Sequence, residues 1–121
     1  MRPAPRTLAP HNDEAEISVL GACLQDFEAA KKAAEILTVG DFFGDAHSET
    51  FGGIQSLVAR GIPPDLVTLY AELQRRGTTE RAGVATYLQD LVDKTPTAAN
   101  VAHHAGIVKD LAGKRRLLTA C

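Results

Sequence analysis

The sequence predicts an all-α protein: a compact bundle of about six short helices, the last of them truncated. Three observations predict it. Apolar residues recur at helical spacing in successive blocks divided by Gly, Pro and Asp. No stretch sustains period-two alternation, and no Asn-Gly or Asp-Gly hairpin signal occurs. Aromatic content is only 5%, with no Trp, so Ala and Leu must fill the interior, which suits closely packed helices.

Residues 1–10 hold three prolines and no periodic pattern, and read as a flexible arm before a domain spanning 11–121. Asp13 and Glu16 have capping-box spacing, and Glu14 and Glu16 sit where a helix dipole favours acids. Ala15, Val19, Leu20, Cys23, Leu24 and Phe27 then form one apolar face. An Ala-rich second helix is expected from about Phe27 to Leu37, ending near Gly40. The bend from Val39 to Gly44 carries Phe42 and Phe43, which suit plugging the end of a helical core.

Asp45 is placed to cap a third helix carrying Phe51, Ile54 and Val58, closed at Arg60-Gly61. Pro63-Pro64-Asp65 stops the chain and restarts it, with Asp65 as N-cap for Leu66, Leu69, Tyr70 and Leu73, and Gly77 beyond the end. A fifth helix is expected from about Ala82 to Asp93, broken by Pro96. Thr97 then caps a sixth carrying Val101, Ala105 and Val108. Lys114 to Cys121 continue the helical pattern without a closing Gly, Asn or Pro, so the chain is expected to be a fragment cut within a longer helix.

Several function classes are disfavoured. A net charge of −2 supplies no global basic field for nucleic acid. Two cysteines, Cys23 and Cys121, make no disulfide framework, so a reducing, cytoplasmic setting is the default. No apolar run approaches the roughly 20 residues of a membrane span. The sequence has no G-x-x-x-x-G-K-[ST], G-x-G-x-x-G or G-x-S-x-G, hence no catalytic, cofactor or metal residue is assigned. His103 and His104 are adjacent, about 100° apart on a helix, which is poor spacing for a shared metal. The basic run from Lys109 to Arg116 suits a solvated helix face better than a phosphate site. Ala99, Gly106 and Gly113 are spaced by seven, so a small-residue face for another helix is one expectation and neutral exposed positions are the other.

Pro10-His-Asn-Asp-Glu-Ala-Glu16 with Val19-Leu-Gly-Ala22 is similar to P-x-x-x-E-A-E-x-x-V-L-G, the opening of the DnaB-type replicative DNA helicases. Further matches follow in order: Glu35-Ile-Leu37, Asp41-Phe-Phe43, Ala46-His47, Phe51, Arg60-Gly61 and Pro64-Asp-Leu-Val-Thr68. After these come Glu72-Leu73, Gly83, Tyr87-Leu88, Pro96-Thr-Ala-Ala-Asn-Val101, Ile107-Val108 and Arg115-Arg-Leu117. The chain departs where many relatives have two tyrosines instead of His103-His104, Arg instead of Gly106, and Gln near Ile17 or Ser18.

The resemblance covers residue 10 to the end and implies the N-terminal collar domain of a hexameric helicase, with ATP and Mg²⁺ used in a motor domain that this chain lacks. It implies self-association, primase as a partner and a helicase loader as a further one, with DNA contacted elsewhere in the parent. Tyr87 and Leu118 are the partner-contact candidates, with internal packing the alternative for each. Other classes carried forward are a helical nucleic-acid-binding or adaptor domain and a small helical metal protein or enzyme. The helicase-binding region of primase is thought to share this fold, but Glu14-Ala-Glu16 and Pro64-Asp-Leu-Val-Thr68 favour the helicase side.

Overall fold

The computed structural model describes residues 9–78 and 83–119, and among these it is helical without a strand. Six α-helices follow in order: α1 Asp13–Gln25, α2 Phe27–Ile36, α3 Asp45–Ala59, α4 Leu66–Arg75, α5 Val84–Asp93 and α6 Val101–Thr119. A 3-10 turn, Val39–Asp41, lies between α2 and α3. Residues 1–8 of the expected arm 1–10, the expected start of the fifth helix at Ala82, and Cys121 lie outside the described residues.

Helix α1 is the axis of the bundle and touches α2, α3, α5 and α6. Its burial is not confined to one stripe: Val19, Leu20, Gly21, Ala22 and Cys23 are all enclosed, as expected for a helix surrounded by others. Gly21 is where α5 crosses most closely. A Cβ placed there would sit 2.4 Å from the Leu91 carbonyl oxygen and 2.0 Å from Thr95 Oγ1. Thr95 is itself buried and donates to Leu91 O at 2.9 Å, which satisfies its hydroxyl. In α2, Ala29, Ala30 and Ala33 form the buried side, and their small side chains let α1 and α6 approach.

The helix ends follow local chemistry. Gly61 (φ 72°) and Gly77 (φ 79°) take the left-handed conformation that ends α3 and α4. After each, two backbone N–H groups return to the last turn: Gly61 to Val58 O with Ile62 to Leu57 O, and Gly77 to Gln74 O with Thr78 to Leu73 O. Asp65 starts α4 in a capping box, accepting from Thr68 N at 2.7 Å while Thr68 Oγ1 accepts from Asp65 N at 2.8 Å.

Several expected boundaries move. Asn12, not Asp13, caps α1, its side chain accepting from Ala15 N at 3.0 Å. Asp26 separates α1 from α2 and caps the latter, accepting from Glu28 N, so Phe27 opens α2 instead of closing the stripe of α1. Gly44 is the N-cap of α3 and Asp45 its first residue. Thr97 accepts only from Ala99 N within a turn, and α6 begins at Val101.

Candidate docking surfaces and their polar anchors

Three buried or nearly buried carboxylates tie helices together, and each is distant in sequence from its partners or sits between two helices. Glu16, expected to serve the start of α1, points inward. Its Oε2 accepts from Phe43 N at 2.8 Å, and its Oε1 accepts from Gly44 N at 3.3 Å and lies 2.8 Å from His47 Nδ1. With a carboxylate as acceptor, that imidazole nitrogen carries the proton. Gly44 has no side chain with which to cap α3, so Glu16 supplies the cap from α1, at the helix end whose dipole favours an anion. Burial pushes the Glu16 pKa up, but the hydrogen bonds from His47, Phe43 and Gly44 outweigh it and hold the group below its ordinary value.

The ligand atoms of Asp13, Glu16 and His47 lie within 4.8 Å of one another. Both Glu16 oxygens are already engaged, and a hydrogen-bonding separation of 2.8 Å to His47 suits a proton between the two better than a shared cation. The cluster is therefore read as the cap of α3.

Glu72 of α4 receives Arg75 Nη2 at 2.6 Å and Arg60 from the end of α3. Arg75 above all holds its carboxyl down to about 2. Asp41, fully enclosed at 0% exposure, accepts from Thr38 N at 2.8 Å, from Lys109 Nζ at 3.1 Å and from Arg116. Burial pushes Asp41 up, and these donors together with the Lys109 charge reverse the shift to leave it lowered. Lys109, Arg115 and Arg116, three of the four cations in the basic run of α6, are thus turned toward the protein.

Two concave surfaces bear the expected partner residues. Tyr87 packs against the core, its ring stacked on His47 with centroids 6.2 Å apart. It lines a cleft of 140 Å³ with Glu49, Thr50, Leu73 and Val84. Its hydroxyl is buried beside Thr50, whose own hydroxyl donates to Ala46 O at 2.7 Å. Burial, with the Glu16 and Glu49 charges, pushes Tyr87 up to about 12. Leu118 lies near the C-terminal end of α6, 64% exposed, and borders a 320 Å³ groove with Phe42, Phe43, Ala112 and Arg115. Tyr87 and Leu118 therefore belong to separate surfaces.

Of the small residues, Gly106 and Gly113 stand on α6 with nothing within 4 Å of where a Cβ would be, whereas Ala99 sits in the preceding turn and does not share their helix. A third surface was not anticipated: an apolar groove of 510 Å³ between α4 and α5, where Val67 is 78% exposed beside Tyr70 and Ala85. The signal was present in the sequence, since Leu66-Val67 and Leu69-Tyr70 are two apolar pairs of which one helix face can bury only half. No helix among the described residues is long and apolar enough to cross a membrane.

The fold and sequence match known proteins throughout. Residues 8–110 match the model of the DnaB-like helicase N terminal domain. The chain is 45% identical over 111 residues to the replicative DNA helicase DnaB of Mycobacterium leprae, covering 92% of this chain and 18% of that protein. Against DnaB of Geobacillus stearothermophilus the identity is 42%, over 92% of this chain and 24% of the relative. The chain thus spans about a quarter or less of the curated relatives it matches. The crystal structure of the N-terminal domain of DnaB helicase from Mycobacterium tuberculosis superposes with a TM-score of 0.87 at 44% identity, covering 93% of this chain and 81% of that one. The chain belongs to the DnaB-like helicase N-terminal domain family.

Proposed function

We propose that this chain is the non-catalytic assembly and docking domain of a hexameric, ATP-dependent replicative DNA helicase working in the cytoplasm on chromosomal DNA. The observation that carries this reading is the match to a DnaB N-terminal domain over 93% of the chain at a TM-score of 0.87. ATP and Mg²⁺ belong to a motor domain outside residues 1–121, and DNA is contacted through that parent. The domain arranges subunits in the ring and offers a surface to primase, with a helicase loader as a further partner.

Leu118 is the partner contact on the exposed end of α6, and its groove is rimmed by Phe43 and Arg115. Tyr87 contributes its half-buried ring to the wall of its cleft, with its hydroxyl turned inward. Gly106 and Gly113 leave one side of α6 open to close approach by a helix of a second copy.

A calorimetric titration of this chain with the C-terminal region of primase from the same organism tests the docking role. Saturable binding is expected. Binding only by a chain extended beyond residue 121 would move the interface off this head, and binding by neither would leave ring assembly as the domain's role.

A further inference from the structure

We infer that the turn around Asp41 is a clasp that fixes the direction of the last two turns of α6, and that opening it frees those turns while the core stays folded.

The apolar packing of α6 ends early. Val101, Ala105, Val108 and Ala112 form its buried side, and Ala112 is the last of them. Beyond it, Lys114, Arg116, Leu117 and Leu118 are exposed and Arg115 is half-buried. The arginines of this stretch bind the head through polar contacts, most of them to one turn. Arg116 reaches the Asp41 carboxylate, which also accepts from Lys109 about two turns earlier. Arg115 divides its guanidinium between two backbone carbonyls, Asp41 O and Pro10 O, each at 2.8 Å.

The other side of the clasp is braced by its own turn. Asp41 is held by its own turn, through Thr38 N at 2.8 Å and Thr38 Oγ1 at 3.3 Å, so its carboxylate presents fixed lone pairs. Phe43 stacks on His11 with centroids 4.0 Å apart, and the Arg115 guanidinium lies 5.4 Å from the same ring. The segment entering α1, the turn after α2 and the end of α6 thus meet at one point. Charge-assisted, forked hydrogen bonds constrain direction in a way that apolar contact does not. Gly113 lies between the last apolar contact and the arginines, so the helix is weakest where the clasp takes over.

Pulsed electron spin resonance on the full chain reads this directly. Spin labels at Glu35→Cys on the exposed side of α2 and at Leu117→Cys, in a Cys121→Ser background, report the distance between α2 and the end of α6. A narrow distance distribution is expected, and at least a doubling of its width when Arg115→Gln and Arg116→Gln are added. The added variant should keep the parent's helical content and a cooperative melt, since both arginines lie outside the apolar core, while its melting temperature falls because the buried Asp41 loses a charged donor. A distribution equally narrow in both proteins would show that helical continuity alone sets the direction. One broad in both would show that the clasp does not hold. Either outcome overturns the inference, and neither depends on what the domain binds.

Discussion

Helix α6 is anchored in two different ways along its length. From Val101 to Ala112 it is held as α1 is held, by side chains removed from water. From Gly113 onward it is held by cations reaching one buried carboxylate and two carbonyls. Apolar burial is non-directional and gains by area, so the first stretch secures the fold. The second stretch buries little apolar surface, and its ion pairs fix geometry more than they add stability. The same division runs across the molecule, with a close-packed interior around α1 and a rim of clasped carboxylates at Glu16, Glu72 and Asp41.

That contrast sets a ranking of effects. Gly21→Ala should be the most damaging, at about 3 kcal/mol, because the added methyl meets the backbone of α5 as well as Thr95. Its melting temperature should fall well below that of the parent, and a fall of only a degree or two would mean that α1 and α5 can slide apart. Val108→Ala, in the apolar half of α6, should cost about 2 kcal/mol in denaturant midpoint.

The clasped rim adds a pH dependence. Glu72 titrates at about 2 in the folded chain against an ordinary 4.5, so the unfolded chain takes up its proton first as pH falls. Its contribution is fully present above pH 4.5 and is lost between there and about pH 2, and the lowered Asp41 and Glu16 act in the same direction. Melting temperature should therefore be level near neutrality and drop below pH 4.5; a level profile down to pH 3 would mean that these carboxylates do not gain from folding.

Gly113→Ala should raise stability by about 1 kcal/mol, since the added Cβ meets open space and a helix-interior glycine is replaced. Leu118→Ser, beyond the apolar half, should change stability by less than about 0.5 kcal/mol.

The parts of the fold legible in the sequence are those whose chemistry is local. Asp65 with Thr68, Gly61 and Gly77 announce their roles within a few residues, because a cap or a left-handed turn needs a particular side chain at a particular place. Glu16 resisted the same logic. At the fourth position of a helix an acid suits the dipole, and nothing nearby says that its partners lie 27 to 31 residues away. Thr97 was misleading for a related reason: its hydroxyl does accept a backbone N–H, but the turn it starts lasts only until Val101. Asp41, Arg115 and Arg116 all stood among the residues carrying the family resemblance. An acid between apolar neighbours and a distant arginine pair were a usable hint of an ion pair, although only the fold shows that they meet. The separation of Tyr87 and Leu118 onto different surfaces was out of reach, because it depends on how α5 and α6 pack on α1.

On the proposed docking role, the exposed end of α6 is the working surface of an apolar head. The most direct test is a pair of titrations of the primase C-terminal region, one against this chain and one against Leu118→Ser. Saturable binding is expected for the parent chain and an affinity about tenfold weaker for the variant, with melting temperature unchanged. Equal affinity for both chains, measured where the parent binds well, would contradict it and place the working surface elsewhere on the head.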